Sequence, residues 1–310
     1  MNPAPSIVFF TTASGAGYGL LFWLGLLRPL GVVPATPAFA LVCLVLALLL
    51  ITAGLASSLL HLGNPLRAWR AFSQWRSSWL SREGVASVVT YVPALAFGAA
   101  LLADLPGLST LAGLLAAVGA AVTVWCTAMI YASLKPIRQW HHPLVAPGYL
   151  LLAAYSGMAL IAGVSALGGV VGGPASFIVT LGLAGLVLKL AYWRMIDGGA
   201  PVATAESATS LGFIGKVRPL DPPHTESNWL LREMGFRVAR KHAATLRTLV
   251  LVGGFALPIL LALLATQIGG GVALPALAVG ALLVLGGLLV ERWLMFAEAT
   301  HTVTLYYSGR

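Results

Sequence analysis

"AFALVCLVLALLLITAGLASSLL", residues 38–60, runs for 23 residues without a charged side chain. At 1.5 Å of rise per helical residue, such a run crosses a hydrocarbon layer about 30 Å thick. The stretch after it, "HLGNPLRAWRAFSQWRSSWLSREG" at 61–84, reverses the chemistry and gathers arginine, tryptophan and serine before the next apolar run opens at 85. This alternation recurs, with candidate spans near 6–27, 38–60, 85–103, 111–132, 148–167, 173–195, 248–267 and 272–293. Of the 310 residues 9% are charged and 59% hydrophobic, whereas a water-soluble domain carries roughly 25% charged residues. A membrane barrel would show alternating segments of ~10 residues, which are absent. The expected fold is all-α: a polytopic membrane protein, one integral domain over 1–310, with eight transmembrane helices and a long loop at 196–246. Helices follow because the bilayer offers unpaired backbone groups no partner.

An even number of spans puts both termini and every even-numbered link on one face. That face collects Arg67, Arg70, Arg76, Arg82, Lys135, Arg138, Lys216, Arg218, Arg232, Arg237, Arg240, Lys241 and Arg310. Lys189, Arg194, Arg247 and Arg292 stand at span ends pointing the same way, while the opposite face holds Arg28 and Asp104. Cations flanking spans stay in the cytoplasm. The expectation is a bacterial inner-membrane protein with both termini and the basic loops cytoplasmic. The net charge of +9 therefore reads as topology and not as nucleic-acid binding. What remains suits anionic membrane lipids or an acidic protein partner.

"MNPAPS" has no basic residue before the first run, which reads as a retained helix and not a signal peptide. Cys43 and Cys126 lie far apart inside apolar runs, without a CxxC pair, so the chain does not ligate an iron–sulfur cluster by itself. They read as packed small hydrophobes. The 196–246 loop opens in Gly, Ala, Ser and Thr without helical periodicity. Its second half, "NWLLREMGFRVARKHAATLR" (228–247), reads as an amphipathic helix that lies in the membrane interface or under a partner.

The spans offer little chemistry. There is no HExxH, no GxSxG, no Walker loop and no carboxylate pair at mid-membrane depth. No run of Asp, Glu or Lys passes through the centre, which argues against a pump or an ion-coupled transporter. Titratable and polar groups collect at the basic rim: His61, Ser58, Arg67, Glu83 and Tyr131, with His141, His142, Glu291 and His301. That placement suits a ligand that lives in lipid and exchanges protons at its head, as a quinone does. A histidine can donate to a quinone carbonyl and relay the proton. His61 has a second reading, as a helix-end histidine satisfying the last carbonyls of span two before "GNP" stops the helix. Haem would need two axial ligands, and no two histidines lie within spans at matched depth.

At "LHLGNPLRAWRAFSQWRSSWLSREG" the chain resembles the membrane-anchor subunits of the dimethyl sulfoxide reductase type. Their signature is an "HLG-small-Pro-x-R-A" segment followed by "S-W/A-L-S-R/N-E". Here it falls on His61 through Ala68, then Ser78, Trp79, Leu80, Ser81, Arg82 and Glu83. The end of span eight, "GGLLVERWLMFAEATH", is similar as well. The resemblance implies two partner subunits, one catalytic with a molybdopterin cofactor and one bearing iron–sulfur clusters. It implies ubiquinone or menaquinone as the ligand of this chain, with His61 in the quinone site and no haem. Ser58, Arg67, Glu83 and Tyr131 are its expected neighbours. Arg70, Arg76, Arg82, Lys135 and Arg138 are the expected docking cations for the iron–sulfur partner. The enterobacterial anchor is drawn with its histidine loop on the periplasmic side, whereas the charges here place it inside. That arrangement resembles the cytoplasm-facing sulfite dehydrogenases of the same family. Sulfite oxidation is thus expected ahead of dimethyl sulfoxide reduction, with a purely structural anchor as the remaining alternative.

Overall fold

The computed structural model describes residues 2–61, 64–199, 203–218, 220–221 and 238–307. Among these described residues, eight helices are long and apolar enough to cross a membrane: α1 (Pro5–Leu27), α2 (Pro37–Ser58), α3 (Trp79–Leu102), α4 (Pro106–Ala132), α5 (Val145–Leu167), α6 (Gly172–Gly198), α7 (His242–Ile268) and α8 (Gly271–Ala297). The only β pairing among the described residues is an isolated bridge between Ile137 and His301. The chain is a multi-pass helical membrane protein.

Local chemistry sets where the helices begin. Thr36 caps α2 by accepting the Phe39 N–H at 3.4 Å, with Pro37 pre-set for the first helical position. Ser78 does the same for α3, accepting from Ser81 at 3.5 Å. So α3 starts at Trp79, ahead of the apolar run at 85, and takes Glu83 inside the helix. The serine cap is a signal present in the sequence itself.

α1 is the hub of the bundle. About 72% of its apolar window is buried, more than in any other span. Its glycines allow the close crossings. A Cβ on Gly17 would meet Ala47 and Ile51 of α2, one on Gly19 would overlap the Ala153 carbonyl of α5, and one on Gly25 would overlap Gly113 of α4. Between membrane helices, where lipid is as apolar as leucine, such small residues let backbones approach and gain dispersion contacts. Trp23 Nε1 reinforces the α1–α5 contact by donating to the Ala154 carbonyl at 2.8 Å.

α7 is interrupted by a π-helical stretch, Val250–Ala256. Pro258 has no N–H for the Gly254 carbonyl four residues earlier. Tyr155 Oη of α5 donates to that carbonyl at 3.0 Å instead, and its ring stacks on Phe255. The helix that leads into the π-helical stretch begins ahead of the span, covering Val238–Leu249. The rest of the expected amphipathic helix, 228–237, lies outside the described residues. Within 203–218 a single turn, Ala205–Thr209, carries a capping box between Thr204 and Ser207.

One end of the bundle is stitched together by the even-numbered links. Ser57 Oγ donates to the Ser6 carbonyl at 3.1 Å, tying the end of α2 to the start of α1. Thr302 N donates to the Pro136 carbonyl and Trp140 Nε1 to the Met295 carbonyl, which fixes the α4–α5 link onto the end of α8. Arg247 bridges Asp197 of α6 and Glu298 just beyond α8 at 2.6 and 2.8 Å. Burial raises the Glu298 carboxyl above the ordinary glutamate range, and Arg247 pulls it back.

Candidate functional site: a charged rim above a buried polar cluster

The rim segment between α2 and α3 is built from short 3-10 turns. Leu59–His61 extends α2, and Pro65–Phe72 follows after Asn64. The His61 side chain, with Leu62 and Gly63, lies outside the described residues. Ser58 Oγ donates to the Leu55 carbonyl at 2.6 Å, so this hydroxyl is committed to its own helix. Arg67 and Arg70 are exposed, as are Leu66, Trp69 and Trp75. Arg70, Arg76 and Arg82 each lie over the ring of a neighbouring tryptophan, Trp69, Trp75 and Trp79 respectively. A guanidinium over an indole face keeps its charge available to water or to a partner.

The five expected docking cations divide into two groups. Arg70, Arg76 and Lys135 are exposed. Arg82 is turned back, donating to the carbonyls of Trp75 and Arg76 at 3.0 and 2.7 Å, and so holds the loop's own fold. Arg138 donates to the carbonyls of Gly199 and Met195, closing the end of α6. The rim histidines are likewise used locally. His141 Nδ1 pairs with the Ala132 carbonyl at 2.6 Å, and His301 Nδ1 with the Val303 N–H at 3.0 Å. His142 Nδ1 accepts from Leu144 at 3.2 Å, which leaves its proton on Nε2. Burial lowers the His142 pKa, and Arg138 lowers it further.

The rim segment packs on α3 at Phe72. Phe72 packs against Gly84 of α3, where an added Cβ would lie 3.1 Å from its ring. The preceding residue, Glu83, points the other way. It is buried, and its Oε1 accepts a 2.5 Å hydrogen bond from Thr127 Oγ1 of α4. Tyr131 is not at the rim surface as the sequence suggested. It is buried, stacked on Tyr149 at 5.8 Å and edge-on to Trp140 and Phe296. The expected site residues therefore fall into a rim set, Ser58 and Arg67 with the backbone of His61, and an interior set, Glu83 and Tyr131.

The interior also holds charges that the sequence pattern assigns to span ends. Lys189 of α6 and Glu291 of α8 form a 2.6 Å ion pair with side chains only 5% and 2% exposed. Arg292 Nε stands 3.5 Å from Glu291 Oε2, and its guanidinium lies 3.7 Å from the centre of the Tyr149 ring. Lys189 Nζ in turn faces the rings of Tyr192 and Trp193 at 4.3 and 4.9 Å. Spacing from the helix ends does not say which side of a helix faces the bundle, and these side chains face inward. Ionisable groups inside a membrane are there at a desolvation cost and mark functional positions by default.

The fold and the rim thus define a membrane anchor with a basic, aromatic-studded face above an ionisable core. The chain belongs to the DMSO reductase anchor subunit (DmsC) family, whose profile matches residues 1–308. It is also 36% identical to a sulfite dehydrogenase subunit of Allochromatium vinosum over an alignment of 335 positions, covering 100% of this chain and 99% of that relative. No solved structure matches the chain.

Proposed function

We propose that this anchor subunit passes electrons from an iron–sulfur partner to quinone, in a complex whose molybdopterin subunit oxidises sulfite. The observation that carries the reading is Glu83: a buried carboxylate hydrogen-bonded to Thr127, one residue from the point where the rim segment bearing Arg67 packs on α3. A carboxyl group and a hydroxyl just inside a lipid-facing rim are the donor set a quinone oxygen needs. Oxidation of sulfite to sulfate takes one water and releases two electrons and two protons at the molybdenum. Reduction of quinone to quinol consumes two electrons, delivered by the clusters, and two protons. In this reading His61 holds one quinone oxygen from the rim side, Glu83 supplies protons from the interior side, and Arg67 stabilises developing negative charge. The sulfite assignment rests on the likeness to the Allochromatium protein. The basic rim is cytoplasmic in this proposal because cations flanking spans are retained there.

His61→Ala is expected to abolish sulfite-driven reduction of decyl-ubiquinone by the purified complex while all three chains still co-purify. Turnover at the wild-type rate would reject the quinone role. Docking is tested separately. Arg70→Glu with Arg76→Glu reverses two exposed charges and spares Arg82, whose guanidinium holds the loop. The pair should release the soluble subunits from membranes at physiological salt, with a steeper loss as salt rises. Full retention would place the docking face elsewhere.

A further inference from the structure

Two small cavities inside the bundle share part of their lining. The outer one is lined by Leu144 and Val145, two and three residues after His142 in the chain, and by Tyr149, Lys189, Tyr192 and Glu291. The His142 ring stands edge-on to Tyr192 at 5.7 Å. The inner one is lined by Thr11, Thr12, Ser14, Tyr18, Thr127 and Tyr149 among others. Each has a volume of about 20 Å³, room for about one water molecule. Tyr149 and Arg292 line both. Tyr149, which lines both, has a buried Oη without a hydrogen-bond partner among the described residues, and Glu291 Oε2 in the outer cavity has the Arg292 Nε ion-pair contact at 3.5 Å but no hydrogen bond. A buried hydroxyl left without a partner is destabilising, and a water with two to four polar neighbours removes that penalty. The inner cavity ends at Thr127, whose hydroxyl is already bonded to Glu83.

We propose that each cavity binds one water molecule and that His142, Glu291, Tyr149 and Thr127, joined by those waters, carry protons from the rim to Glu83. The path does not cross the membrane; it begins and ends on the same side of the bundle. A proton taken up at His142 displaces one along the line, and Glu83 releases one to a quinone oxygen and is refilled through Thr127. Two such transfers accompany the two electrons from the iron–sulfur partner, so charge and protons balance for each quinol formed. Arg292, over the Tyr149 ring, stays protonated throughout and takes no part as a carrier. The inference rests on the quinone reading above and adds the route by which the protons arrive.

Tyr149→Phe tests it in the assembled complex, because the ring that stacks on Tyr131 and lies under Arg292 is kept and only the shared hydroxyl is lost. Sulfite-driven reduction of decyl-ubiquinone should slow about a hundredfold, in the range removed with a proton-transfer group. Its solvent deuterium isotope effect should rise, while reduction of ferricyanide by the partner subunits stays unchanged. Thr127→Val, which removes the hydroxyl next to Glu83, should reproduce the result and stands in if the first variant does not assemble. Wild-type rate and isotope effect in the assembled variant, with His61→Ala inactive, would overturn the proton route and leave the quinone reading intact. Undiminished turnover in His61→Ala as well would remove the quinone reading itself.

Discussion

Glu291→Leu should lower the stability of the bundle by about 3–5 kcal/mol, because removing one partner of a buried pair leaves the other charge uncompensated. Here it leaves two. Lys189 Nζ loses its 2.6 Å partner and Arg292 loses the carboxylate oxygen 3.5 Å away, so two cations remain in the bundle interior. Lys189→Met should be milder, since Glu291 keeps Arg292 as a counter-ion and the methionine fills the volume against Tyr192 and Trp193. Midpoints of unfolding in detergent titrations of the two variants check this. Equal losses would show that Arg292 contributes nothing to holding the Glu291 charge.

The second large effect is steric. Gly157→Leu should destabilise the α1–α5 contact by about 3 kcal/mol, the upper part of the range for overpacking. A Cβ at 157 would overlap the carbonyl carbon of Gly19 and the nitrogen of Leu20. These are backbone atoms that cannot rotate aside, so α1 must move, and with it the contacts to α2 and α4. Gly163, six residues along α5, provides the control. Its Cβ would stand 3.9 Å from the nearest atom, so Gly163→Ala should be neutral or stabilising through helix propensity. The same titration reads both. A Gly157→Leu variant as stable as the wild type would mean that the two helices are not held at backbone contact.

Both effects arise from features the linear chain conceals. Hydropathy located the apolar stretches because each must satisfy its backbone internally and match the hydrocarbon thickness, a demand every residue of a span reports. The rim motif from His61 to Glu83 was likewise legible, because its charges and indoles interrupt the apolar background. The start of α3 lies six residues before the expected 85, because the Ser78 cap and not the onset of apolarity sets where the helix begins.

Which face of a helix points inward was not legible. In a membrane the outward face is as apolar as the inward one, so the periodicity that marks a core in water is missing. For that reason Lys189 and Arg292 read as topology charges and Tyr131 as a surface group, while Arg82 and Arg138 read as free docking cations because their bonds to backbone carbonyls of loops and helix ends leave no mark in the sequence. From the sequence alone came a chain of eight apolar crossings with one strongly basic face. Only the tertiary structure set Glu83 against Thr127 of α4, and Glu291 between Lys189 and Arg292. It did so because packing through glycine contacts, and not hydrophobicity, selects neighbours inside a bilayer.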